Sequence, residues 1–135
     1  MSDAAAGYPP TLDDLAEIAE RAFAALPEAF RALAGEVVIR VDDFPADAVL
    51  DEMAITDAFE LTGLYSGVSL AERSGFGAEP EPSRIFLYRR AILDEWAENG
   101  EITLEELVTH IMVHEIGHHF GLSDPAIEAI EAAAD

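Results

Sequence analysis

Between Thr103 and Gly121 the chain runs without a proline for roughly 18 residues, a length that corresponds to about 27 Å of helix. That run constrains the fold more than any other feature. Leu104, Leu107, Ile111 and Met112 recur along it and lay down an apolar stripe. The opening "TLEE" fits a capping box, with Thr103 at the N-cap and Glu106 at the third helical position. Gly121 can take the left-handed conformation that stops a helix.

Glycine and proline punctuate the rest of the chain into shorter elements. Residues 1–10 read as a flexible arm ending in Pro9-Pro10, and 11–135 as a single domain. Leu12, Leu15, Ile18, Ala22, Phe23 and Leu26 predict a helix capped by Thr11, broken or kinked at Pro27 and closed at Gly35. "EVVIRVDDF" reads as a strand, 45–58 as short helical turns, and "ELTGLYSGVSL" as a strand. Gly63 and Gly67 within that second strand point to a bulge or a close backbone approach. A glycine- and proline-rich loop is expected at 71–83. A strand "RIFLYRR", a short helix "AILDEWAEN" and, after the long helix, a last helix "PAIEAIEAAAD" complete the order.

Half of the 135 residues are apolar and none is cysteine, which excludes disulfides, thiol nucleophiles and cysteine-ligated metal. The net charge of −21, with every basic residue an arginine, repels nucleic acid and anionic lipid, so neither is an expected partner. No apolar run approaches the roughly 18 residues of a membrane span, and the N-terminus has no signal-peptide pattern. A cytoplasmic location is the expectation.

The end of the long helix carries the chemistry. In "VHEIGHHFGLSDP" His114 and His118 are four residues apart, so their imidazoles share one helix face and can converge on one Zn²⁺. Glu115 lies about 100° round the helix, where it reaches a metal-activated water without ligating; this is the HExxH arrangement with the glutamate as general base. A catalytic zinc needs a third protein ligand. After the Gly121 bend, Asp124 comes within reach. Asp124-Pro125 also reads as a helix N-cap followed by a first-turn proline, and one carboxylate can serve both roles. His119 points away from the ligand line and reads as a rim or second-sphere residue. His110, one turn before His114, is expected to pack beneath the site. Gly117 inside the helix suggests that another element approaches closely.

"HEIGHHFGLSD" matches HExxHxxGxxD, a metzincin-type zinc motif with aspartate in the third ligand position. With "GLYSGVSLAERS" and "SRIFLYRRAIL", it makes residues 30 to 125 resemble a family of small bacterial zincin-like metallopeptidases. The resemblance implies an α+β fold of minimal zincin type, in which a small mixed β-sheet packs against a backing helix and the HExxH helix. It also implies one Zn²⁺ per chain and a peptide or protein substrate. The Met-turn of metzincins is missing, because Met1, Met53 and Met112 all precede Asp124. In zincins an edge strand pairs with the bound peptide, which makes Gly63, Leu64, Tyr65, Ser66, Gly67 and Val68 the candidate substrate-binding strand, with 71–83 as a flap. Arg84, Arg89 and Arg90 either meet a substrate carboxylate or offset neighbouring acids. The acidic surface favours a basic substrate. The short stretch after Asp124 raises the expectation of a dimer or partner protein completing the cleft. The competing reading is a metal-binding or interaction domain that keeps the site without catalysis.

Overall fold

The computed structural model describes residues 9–66 and 83–133. The expected arm lies outside them apart from Pro9 and Pro10. So do Gly67 and Val68, and the expected loop at 71–83 apart from Ser83.

Helix α1 (Leu12–Ala24) opens on a reciprocal cap. The Thr11 hydroxyl accepts from the Asp14 N–H at 3.1 Å while the Asp14 carboxylate accepts from the Thr11 N–H at 2.9 Å. Pro27 separates it from α2 (Glu28–Ala34), which ends at Gly35 with φ +72°. Strand β1 (Val37–Asp42) is followed by α3 (Asp47–Glu52), a 3₁₀ turn (Ala58–Glu60) and β2 (Gly63–Ser66). Then come β3 (Ser83–Tyr88), α4 (Arg89–Asn99), α5 (Leu104–His119) and α6 (Asp124–Ala133).

The sheet has the order β1-β3-β2. Strand β3 is central, parallel to β1 and antiparallel to β2, so the sheet is mixed and β2 is an edge among the described residues. One face of it carries Val37, Ile39 and Val41, Ile85 and Leu87, and Gly63 and Tyr65, which the register sets side by side. Helices α1 and α5 both pack on that face, α1 over β1 and α5 over β2, and they also touch each other. Leu15 and Ala19 of α1 meet Leu107, Val108, Ile111, Met112 and Ile116 of α5 in one buried core with Ile85, Leu87 and Ile92. This is the two-layer α+β arrangement in which a backing helix and the long motif helix share one small mixed sheet. Among the described residues no helix is long and apolar enough to cross a membrane.

Several boundaries differ from the sequence reading. Strand β2 begins at Gly63, because Glu60 belongs to the 3₁₀ turn, and β1 is shorter at both ends. Ser83 belongs to β3, where it pairs with Val37 and is buried. Arg89 and Arg90 leave the strand and start α4. Arg89 donates to the Pro10 carbonyl at 2.6 Å and pairs with Asp43 at 3.0 Å, while Arg90 stacks over the Phe44 ring at 5.9 Å. These long-range contacts turn the chain where the local pattern continues as a strand.

Candidate metal centre

The scaffold of the site is α5. Thr103 and Glu106 cap its N-terminus reciprocally, at 3.0 and 3.2 Å. Its C-terminus closes in a Schellman turn: the Leu122 N–H donates to the Gly117 carbonyl at 2.9 Å, and the Gly121 N–H donates to the His118 carbonyl at 3.0 Å. Gly121 sits at φ +75°, the left-handed conformation that reverses the chain. Helix α6 therefore returns antiparallel along α5. The two helices meet where Gly117 leaves room. A β-carbon there would fall 2.9 Å from Cγ1 of Ile127, a fully buried residue.

Two lines of side chains result on the exposed end of α5. His110, His114 and His118 follow one another at four-residue spacing, with ring centroids 4.0 and 5.3 Å apart, and face α6. Ile111, Glu115 and His119 form the neighbouring line, facing β2. Gly63 admits the Ile111 side chain so closely that a β-carbon on it would be 2.7 Å from Ile111 Cγ2. At the other end the His119 ring stands edge-on to Tyr65 at 4.8 Å. Glu115 lies between these contacts. Partial burial pushes its carboxyl above the ordinary range, and the charge of His118 opposes that rise. His114 is pushed the other way. Burial lowers its pKa first and neighbouring His110 lowers it further, while Glu131 opposes them, so a neutral imidazole, the form that binds metal, is favoured.

Of the expected ligands, His118 Nε2 and Asp124 Oδ1 stand 3.3 Å apart and His114 is the next ring along. Two donors on one tetrahedral zinc, with bonds of about 2.0–2.1 Å, are themselves about 3.3–3.4 Å apart. The His118–Asp124 spacing, here that of a hydrogen-bonding contact, matches it, and two imidazoles and a carboxylate suit zinc chemically. But His114 Nε2 is turned to Glu131 at 3.6 Å, so the three expected donors do not all lie within 4.8 Å of one another. Asp124 is not the cap of its helix. Ser123 has that role, its hydroxyl accepting from the Ala126 N–H at 3.3 Å, so the Asp124 carboxylate is left to His118. His110 does not pack beneath the site. Its side chain is half exposed, and its Nδ1 lies 2.9 Å from Oε1 of Glu131. His119 has its ring against Tyr65 and Phe120.

Glu131 is the residue that the sequence reading missed. It lies seven residues beyond Asp124, two turns along the same face of α6, and reaches His114 Nε2 at 3.6 Å as well as His110. The helical spacing from Asp124 was its only signal. On β2, the Tyr65 side chain is buried in the core and Gly63 is filled against by Ile111. Leu64 and Ser66 point to the opposite face of the sheet. Among the described residues no strand pairs with the outer side of β2, so what it offers there is its backbone edge.

The sequence matches the model of the zincin-like metallopeptidase family over residues 34–134. The chain belongs to that family. The matched span holds the whole sheet, α5 and α6 of this zincin-like protein. No curated protein matches the sequence.

Proposed function

We propose that this zincin-like protein hydrolyses peptide bonds, with His114, His118 and Asp124 holding one Zn²⁺ and Glu115 acting as general base. The observation that carries the reading is the return of Asp124 to 3.3 Å from His118 across the Gly121 turn, which supports a carboxylate as third donor beside the two motif histidines once the His114 ring turns from Glu131 to join them. The chemistry a bound zinc supplies is Lewis-acid activation of water and polarisation of the scissile carbonyl. The chain's own residues do the rest. Glu115 takes the proton of the attacking water on its carboxylate and can return it to the leaving amine. Its raised pKa favours the first of these transfers, the uptake of the proton. The line of Ile111, Glu115 and His119 lies against β2, so a peptide added to the backbone edge of Gly63–Ser66 passes over Glu115. The net charge of −21 favours basic peptides as substrates or partners.

Glu115→Gln tests the assignment. It should keep zinc at one per chain and remove hydrolysis of a broad peptide library. Loss of zinc in that variant makes Glu115 a ligand and sinks the proposed role. Unchanged cleavage shows that the base lies elsewhere.

A further inference from the structure

Beside the proposed triad, α5 and α6 bring together a second donor set. His110, His114 and Glu131 form the one group of three metal-ligating side chains, among the described residues, whose donor atoms all lie within 4.8 Å of one another. Oε1 of Glu131 is the centre of it. It lies 2.9 Å from His110 Nδ1 and 3.6 Å from His114 Nε2, contacts that are ion pairs only with a protonated histidine, yet it is buried and has no hydrogen-bond partner among the described residues. A buried carboxylate oxygen without an aligned donor costs free energy unless something electropositive meets it. Those two distances bracket the separation of about 3.3–3.4 Å between donors on a tetrahedral zinc.

We propose that His110, His114 and Glu131 form a second position for a zinc-like divalent cation, sharing His114 with the His114–His118–Asp124 triad so that one ion occupies one position or the other. The proposal depends on the proposed triad only through that shared imidazole. His114 turns Nε2 towards Glu131, so an ion on the outer side leaves His118 and Asp124 to pair with each other, as they do at 3.3 Å. The two positions are displaced by about one helical turn, roughly 5 Å, and the outer one lies further from Glu115. An ion there is held but is not placed for hydrolysis. The approach suits a cation as well. A cleft of about 700 Å³ opens against His110 and Glu131, and Glu95, Glu105, Glu106 and Glu128 also line it, a field that concentrates cations locally.

The test is metal binding by the whole chain, without any assay of hydrolysis. Metal-free wild type, H118A/D124A, H110A/E131Q and the fourfold variant are titrated with Co²⁺, following its visible absorption, and with Zn²⁺ against a chromophoric chelator. His118, Asp124 and His110 are at least half exposed and Glu131→Gln is isosteric. Metal-free thermal melts then verify that each variant is folded. H118A/D124A should still bind one ion, with a cobalt spectrum different from that of H110A/E131Q. The fourfold variant should lose affinity by more than the roughly 10–100-fold that loss of an outer-sphere partner costs. If folded H118A/D124A binds no metal while H110A/E131Q binds like wild type, the second position is overturned and the triad stands. Binding kept by H118A/D124A and lost by H110A/E131Q supports the second position and removes the triad instead. No binding by wild type overturns both.

Discussion

The contact between Gly117 and Ile127 sets how closely the carboxylates of α6 approach the histidines of α5, so Gly117→Ala is a direct probe of the site's construction. Two effects compete. Alanine is better than glycine in a helix interior by about 1 kcal/mol. Against this, the new methyl would lie 2.9 Å from Ile127 Cγ1 and 3.0 Å from Cδ1, where ordinary contact begins at 3.4 Å. Ile127 is fully buried and β-branched, so it has little rotamer freedom with which to retreat. Overpacking of this kind costs about 1–3 kcal/mol, which leaves a net loss of about 0–2 kcal/mol. The more specific effect is geometric. Helix α6 must back away by about half an ångström, taking Asp124 and Glu131 with it. Urea unfolding and zinc competition on the same protein measure both effects, and zinc affinity should fall even if stability barely moves. A second variant, Ile127→Ala, should cost about 2–5 kcal/mol in the native background. Combined with Gly117→Ala, whose added methyl fills part of the space, it should cost at least about 0.5 kcal/mol less. If Gly117→Ala instead gains about 1 kcal/mol with unchanged zinc affinity, Ile127 yields freely and the close approach does not set the site.

Gly121→Ala isolates the turn. No atom lies within 4 Å of the position a β-carbon would take, so the cost is backbone strain alone, about 1 kcal/mol or a melting temperature lower by about 3–5 °C. Asp124→Ala should move the bound ion out of the His114–His118–Asp124 position, read as a changed Co²⁺ spectrum, and leave helix α6 in place by circular dichroism, because Ser123 supplies the cap; His119→Ala should leave zinc affinity and the spectrum unchanged. In the metal-free protein His114 and Glu115 give opposite pH dependences. The lowered pKa of His114 makes its contribution complete above the unfolded value of 6.5 and lost as pH falls through the folded value. The raised pKa of Glu115 makes its contribution complete below the unfolded value of 4.5 and lost as pH rises through the folded value. Glu115→Gln should therefore raise the melting temperature of metal-free protein near pH 7, and an unchanged or lower value there refutes the burial argument.

Local chemistry carried most of what could be read from the chain. Thr103 with Glu106 and the turn at Gly121 are caps whose partners lie within five residues, so their spacing alone reports them. The close approach implied by Gly117 was legible because glycine in a helix interior needs a reason, although its partner Ile127 was not. The same limit hid Glu131. Which acid of α6 faces the histidines depends on the rotation of one helix against another, and that rotation is set by Ile127 seating over Gly117. The start of α4 was misplaced because Arg89 is drawn to Pro10 and Asp43, contacts that no local pattern contains.

The antiparallel return of α6 makes that helix a lever whose pivot is the Gly121 turn. Asp124 stands beside the pivot, and Glu131 is seven residues out along the arm, about 10.5 Å further. A tilt of about 5° carries Glu131 about 0.9 Å further than Asp124, by the same helical rise. The His118–Asp124 contact is therefore geometrically stiff, while the Glu131 contacts with His110 and His114 are adjustable. Whatever leans on the far end of α6, around Ile130 to Ala133, tunes the outer carboxylate and leaves the inner one nearly still.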